Sequence, residues 1–348
     1  MRGDPSAVLR SLTAALGETP ALAGTDLVLV GSQARRRSDI YLVGTRADRV
    51  PRWVVKVPHP GVAQVDLRPP ASAADQLAAL RRLNAHLDAT STGFAAPRAV
   101  ALLPDVAGLA MEFVPGPHLT ALIRPRALVA PARLLAGAAT AAGVLRALHA
   151  VDVAEDVDTS LSELHDGVAA RAATALAGAA LPTRLLDVPW PVAVPRTAVA
   201  RRRHVLLHGD FAPENLVFSP GTVHCLDAEL AVRGPDEVDV VRFVTMLDDA
   251  PMFVAGTGVR AVDRLRARSG ATFLQAYYDG AVPVTTWWAL IESVASRWAM
   301  RHTDCLQRRP RATQVRLSLL RRHFTSLLAE LADAARRSER SSPGAGLG

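Results

Sequence analysis

Residues 205–218 read VLLHGDFAPENLVF, and HCLDAEL follows at 224–230. Asp210 and Asn215 stand five apart, and Asp227 stands 17 residues after Asp210. A carboxylate, an amide and a second carboxylate at this spacing can serve phosphoryl transfer from ATP. One carboxylate orients and deprotonates the acceptor hydroxyl. The amide oxygen and the other carboxylate hold Mg²⁺ on the phosphates.

Apolar, strand-like runs at 205–207, 216–218 and 223–226 must position these groups. Upstream, Leu27–Val30 and Ile40–Val43 read as strands joined by a turn at Gly31-Ser32-Gln33. A third strand, Arg52 to Val57, carries Lys56. Of 40 basic residues, this is the one lysine. The segment 73–88 carries Leu77, Leu80, Leu83 and Leu87, a helical stripe. Val100–Leu103 and Leu109–Val114 form a hairpin, which Pro115-Gly116-Pro117 stops. Residues 6–16 read as a helix, as do the later segments 131–150, 160–179, 236–248, 258–278, 284–306 and 313–336. The Pro-rich stretch 181–203 reads as a loop.

At the residues quoted first, the chain resembles the aminoglycoside phosphotransferase and choline kinase family. That family writes H-G-D-x-x-x-x-N, here His208-Gly209-Asp210 with Asn215, and then D-x-E, here Asp227-Ala228-Glu229. The resemblance implies an α+β, protein-kinase-like, two-lobed fold. Residues 1–110 would be the nucleotide-binding lobe, 111–116 the hinge, 117–336 the larger helical lobe and 337–348 a disordered tail. It implies an ATP- and Mg²⁺-dependent phosphotransferase acting on a hydroxyl of a small molecule: a sugar, amino sugar, amino alcohol or related metabolite. Asp210 would be the base, and Asn215 and Asp227 the metal ligands. Lys56 would pair with the α and β phosphates, a task suited to a compact point charge. The other reading of Lys56 is a charge guarding an edge strand.

The resemblance extends to the nucleotide site. Gly31 and Ser32 stand where kinases fold a loop over the phosphates; a plain hairpin turn is the alternative. Arg35, Arg36 and Arg37 read as its solvated tip. Met111-Glu112-Phe113-Val114-Pro115-Gly116 resembles the family's hinge, whose backbone reads adenine. This places Glu112 and Val114 at the nucleotide with Met111 or Phe113 lining its pocket, the alternative for Glu112 being a structural role. The helix Glu that usually pairs with the strand lysine is missing. Gln76 stands in its place, with Asp75 adjacent, and either could serve Lys56. This departure keeps open a weak or inactive kinase-fold protein that binds nucleotide in a regulatory role.

Asp227 and Glu229, two apart on a strand, would face one side. Glu229 is then either a metal ligand or a hydrogen-bonding neighbour of the ligands. Asp239 matches a structural aspartate that braces the catalytic loop, and His149 a structural helix-end histidine. In that family the helices after Asp239 bind the acceptor; here the corresponding segment carries Trp287, Trp288, Glu292, Arg297, Trp298, Arg301 and His302, with more arginine than carboxylate. That is a poor match to a polycationic aminoglycoside.

Composition narrows the class. An apolar content of 49% with 21% charged residues is ordinary for a globular chain. The net charge is +7, but the arginines are scattered and no aromatic-basic module appears, so no nucleic-acid partner is expected. Leu134–Leu145, the most apolar long stretch, is too short and Ala-rich to span a bilayer, so no membrane association is expected. The amphipathic segment near the C-terminus reads as a packed helix with a solvated Arg face. Two cysteines, Cys225 and Cys305, make no disulfide framework, and residues 1–10 carry charge where a leader needs an apolar core. A cytoplasmic location is expected.

Overall fold

The computed structural model describes residues 4–17, 25–35, 38–59, 72–90, 92–181, 197–307 and 310–341. Elements are numbered in chain order. The chain divides into two compact units, Met1–Pro117 with Asn215–Val232, and His118–Glu214 with Arg233–Gly348.

The first unit is built on an antiparallel sheet of β1 (Leu27–Ala34), β2 (Ser38–Thr45), β3 (Pro51–Pro58), β5 (Ala99–Leu103) and β6 (Gly108–Glu112), in the order β1-β2-β3-β6-β5. Helix α1 (Pro5–Gly17) lays Val8, Leu12 and Leu16 into a core with Tyr41, Val43, Trp53 and Val55. Alternation along β3 sends Lys56 to the face opposite Val55. Helix α2 (Ala73–Thr90) buries its Leu77, Leu80, Leu83 and Leu87 stripe, as its periodicity requires.

A second, three-stranded sheet contains β4 (Phe94–Ala95), β10 (Thr222–Cys225) and β9 (Leu216–Ser219). β10 runs parallel to β4, with Val223 beside Phe94. The Phe218 amide donates to the Pro117 carbonyl at 2.9 Å, and the Ser219 hydroxyl to that of Pro115 at 2.6 Å. At Gly116, φ is +145°, and a Cβ would lie 2.4 Å from the Phe218 carbonyl oxygen. A glycine is required there. These bonds tie the Asp227 segment to the first unit, whereas the sequence expectation grouped it with the larger lobe.

The second unit is mainly helical: α3 (Ala132–Leu148), α4 (Leu161–Gly178), α5 (Glu237–Asp248), α6 (Pro251–Ala255), α7 (Arg260–Tyr278), α8 (Val284–Gln307) and α9 (Pro310–Ser341). It also holds a sheet that the sequence reading missed: β7 (Glu155–Ser160), β8 (Val199–Leu206) and β11 (Arg233–Pro235), in the order β11-β8-β7. Asp156, Val157 and Asp158 lie opposite Arg203, Arg202 and Arg201. Cross-strand charge pairing replaces the apolar alternation that would have marked the strands.

Four expectations are corrected here. The predicted loop 181–203 ends in β8, while 182–196 lie outside the described residues. The predicted helix 258–278 begins at Arg260, where Val259 precedes it in an extended conformation, and the short α6 comes before it. Gly31-Ser32-Gln33 is not a turn: all three lie in β1, beyond a bulge at Leu29/Gly31. The chain instead reverses between Ala34 and Ser38, and of the Arg tip only Arg35 is described. The predicted tail from 337 begins inside α9, which continues to Ser341; there the Ser338 hydroxyl donates to the Val282 carbonyl.

Candidate active site

The candidate residues fall into one cluster per unit. In the second unit, β8 delivers the loop His208-Gly209-Asp210. Asp239, in the first turn of α5, holds that loop. Its Oδ2 accepts from the His208 amide at 2.6 Å and its Oδ1 from the Gly209 amide at 3.0 Å. His149, at the end of α3, meets Asp239 Oδ2 through Nε2 at 3.1 Å and the Tyr277 hydroxyl through Nδ1 at 2.6 Å. Burial alone would raise the Asp239 carboxyl. The His149 hydrogen bond, the nearby imidazoles and the His208 amide together hold it below its ordinary range.

Gly209 has φ +89°, a conformation that glycine adopts without strain and that turns the chain toward Asp210. The Asp210 amide donates to His208 Nδ1 at 3.2 Å, and His208 is fully buried against Phe211. His208 is thus a packed loop residue. Asp210 is part-exposed and carries a partner that the sequence did not reveal. Arg242, on α5, donates to its Oδ1 from Nε at 2.9 Å and from Nη2 at 2.6 Å.

In the first unit, the β9–β10 hairpin brings Asn215 and Asp227 together. Cys225 faces Leu216, and the next pair is joined by the Leu226 amide donating to the Asn215 carbonyl at 2.8 Å. The strand ends at Cys225, so the expectation that Asp227 and Glu229 share a strand face does not hold. Asp227 instead adopts φ +57°, a left-handed conformation uncommon outside glycine and enriched at functional positions. Lys56 Nζ, reaching from β3, lies 3.0 Å from Asp227 Oδ1.

The family model for the phosphotransferase enzyme family (APH) matches residues 31–278, more than two thirds of the chain. The chain belongs to this phosphotransferase family. Among solved structures, a glucosamine kinase in complex with glucosamine, ADP and inorganic phosphate is similar at 18% identity. The match covers 98% of this chain and 88% of that one, with a TM-score of 0.57. An amicoumacin kinase in complex with AMP-PNP, Ca²⁺ and Ami is 13% identical, with 94% of each chain covered and a TM-score of 0.52. No curated protein sequence gives a significant match. The fold is therefore the α+β, kinase-like fold that the sequence resemblance implied.

Within this phosphotransferase, Asn215 and Asp227 suit a divalent cation. They supply an amide and a carboxylate oxygen, the hard donors that Mg²⁺ takes, from adjoining ends of one hairpin. Among the described residues, no group of three or more His, Cys, Asp and Glu side chains forms a closed metal cage.

Other expected residues are placed as follows. Gly31 and Ser32 lie in β1; Gln33 continues that strand and shares a row across the sheet with Ile40 and Lys56. A Cβ at Gly31 would meet only Leu42, at ordinary distance, so the backbone does not demand glycine there. Glu112 ends β6 opposite Trp53, and the Phe113 amide donates to the Arg52 carbonyl at 2.8 Å, with Val114 following. Asp75 does not reach for Lys56. It closes a cap with Ser72: its Oδ2 accepts from the Ser72 amide at 3.0 Å and hydroxyl at 2.7 Å, and the Ser72 hydroxyl accepts from the Asp75 amide. This is the reciprocal N-terminal capping arrangement of a helix. Trp288 and Trp298 are core residues, and Glu292 is taken by Arg171. Among the described residues, no helix is long and apolar enough to cross a membrane.

Proposed function

We propose that this chain transfers the γ-phosphate of ATP to a hydroxyl of a small molecule. The observation that carries the proposal is the convergence of Lys56, Asn215 and Asp227 in the first unit. A lysine from β3 meets a hairpin bearing two hard oxygen donors, a combination that suits a metal-bound polyphosphate.

Each residue then has a task. Lys56 binds the α and β phosphates as a point charge. Asn215 and Asp227 would hold Mg²⁺, which supplies charge neutralisation at the phosphates. Glu112, Val114, Gly31 and Ser32 are assigned to the nucleotide. Asp210 orients the acceptor hydroxyl and takes its proton as the oxygen attacks phosphorus. Asp239 holds the backbone of the Asp210 loop, and Arg242 fixes the Asp210 carboxylate.

The test is Mg²⁺-dependent ATP binding and phosphate transfer across a panel of hydroxylated small molecules. Asp227→Ala is expected to abolish Mg²⁺-dependent binding, and Asn215→Ala to weaken it less, as a neutral ligand lost. Tight Mg·ATP binding in both variants would place the metal elsewhere. The competing reading, nucleotide binding without turnover, gains from Asp75 being engaged in the helix cap. The same assay separates it: nucleotide bound, no product.

A further inference from the structure

The second unit contains a cavity of about 180 Å³ lined by Thr120, Glu214, Met246, Asp249, Arg297 and Arg301, among others. Its charged floor is unusual. Asp249, at the C-terminal end of α5, has a side chain only 2% exposed. Arg297 and Arg301 lie one turn apart on α8, so both reach it from the same face. Arg297 donates to Asp249 Oδ2 from Nε at 2.5 Å, and its Nη2 also contacts that oxygen. Arg301 Nε donates to Oδ1 at 3.1 Å and to Oδ2 at 3.0 Å.

Both oxygens of the buried carboxylate are therefore occupied by guanidinium groups, and Asp249 is not available to an amine. What the cluster offers is donors. The two terminal nitrogens of Arg301 make no hydrogen bond among the described residues, and its side chain is 38% exposed. Two guanidinium charges face one carboxylate at the buried floor, and with Glu214 the whole lining holds two charges of each sign. The other acidic lining residue, Glu214, is exposed to solvent and screened.

The cavity and the side chain that holds Asp210 share helix α5. Met246 lies one helical turn, roughly 6 Å, from Arg242, which holds Asp210 Oδ1. We infer that the phosphoryl acceptor is a small hydroxylated carboxylate whose anionic end docks on Arg301, backed by Arg297, and not a cationic amino sugar. A planar guanidinium matches a carboxylate in a two-point fork. An ammonium group would meet the same donors and be repelled. The inference rests on the phosphotransferase reading for the word acceptor, but the binding preference stands on this cavity alone.

The test uses three C6 polyols of different charge: gluconate, an open-chain anion, with glucose and glucosamine, two pyranoses. Binding to the full chain is measured by calorimetry at low ionic strength. Gluconate is expected to bind about tenfold or more tighter than glucosamine, a margin of about 1.4 kcal/mol or more. Arg301→Gln should erase the preference, and Arg301→Lys should retain part of it, which controls for folding. Equal affinities, tighter glucosamine binding, no binding by any of the three, or an unchanged preference in folded Arg301→Gln would each overturn the inference. Phosphate transfer from ATP is read in parallel. Transfer to glucose or glucosamine with gluconate ignored defeats this inference and leaves the phosphotransferase reading intact. A gluconate preference without transfer to any acceptor leaves the binding preference intact and counts against the phosphotransferase reading.

Discussion

Lys56 Nζ lies 3.0 Å from Asp227 Oδ1, although 171 residues separate them in sequence. Within the first unit, the strand lysine thus pairs with Asp227 and not with a carboxylate of α2. In a phosphotransferase, polyphosphate and Mg²⁺ would share this pair. As the chain has no other lysine, an amine-reactive ATP analogue should modify Lys56, and Mg·ATP should protect it. Lys56→Met should weaken ATP binding by roughly 10- to 100-fold, the range for a lost charge-assisted hydrogen bond of about 1.5–3 kcal/mol. Peptide mapping and nucleotide titration check both outcomes. Undiminished binding and turnover in Lys56→Met would remove the lysine from the nucleotide site.

Arg242 holds one oxygen of Asp210 from two nitrogens of one guanidinium. Arg242→Gln should lower kcat by about tenfold, a loss of about 1.4 kcal/mol in transition-state stabilisation. The KM for ATP should not move, since Arg242 is assigned no contact with the nucleotide. Arg242→Lys should recover little, because a point charge cannot fork. A variant that raises KM for ATP at unchanged kcat would contradict this role.

Asp75 spends its carboxylate on Ser72, and these bonds lower its pKa from the ordinary value. Asp75→Ala should therefore lower the thermal midpoint while leaving kcat alone. Gln76→Glu should be neutral or raise activity, if the new carboxylate supplies Lys56 with the partner that the family usually provides. Thermal melts and turnover on the two variants separate the cap from catalysis. A large kcat loss in Asp75→Ala would show that the helix carboxylate does act on Lys56.

The pH dependence of stability should carry opposed contributions. Burial pushes the Asp248 carboxyl up to about 7 despite Arg266 beside it, and Asp236 up to about 6. As pH rises from about 4 toward 7, the unfolded chain releases these protons before the folded one does, so stability falls. Burial, with Arg266 adding to it, lowers His323 to about 4. Between about 4 and 6.5 the unfolded chain holds that proton more tightly, so this contribution rises with pH. Asp248→Asn should make urea midpoints climb with pH across 4.5–6.5 more steeply than in the wild type. His323→Gln should tilt the profile the other way. Profiles parallel to the wild type in both variants would refute these assignments.

The candidate catalytic segments could be placed from sequence because their signal is local. His208-Gly209-Asp210, Asn215 and Asp227 lie in one stretch with strands on either side, and Gly209 marks a backbone turn. Asp239 could likewise be placed from its position at the start of α5. Arg242 could not, since its partner lies 32 residues away and its helix pattern shows only a polar position. β7 was missed for a related reason. Glu155-Asp156-Val157-Asp158 has no apolar alternation, and its reason for pairing lies in Arg201, Arg202 and Arg203 on another strand. At α2, Ser72 and Asp75 did carry a readable capping signal, which competes with the salt bridge otherwise considered for Asp75. The turn read at Gly31-Ser32-Gln33 failed because a single glycine, with no positive φ required, fits a strand bulge as well as a turn.

The most direct measurement is transfer of labelled γ-phosphate from ATP to small hydroxylated acceptors by the wild type and by Asp210→Asn. The account predicts Mg²⁺-dependent transfer by the wild type. In the variant, kcat should fall roughly 10²–10⁴-fold while ATP affinity stays unchanged, since the group removed serves the acceptor's proton. Undiminished transfer by folded Asp210→Asn would contradict the account.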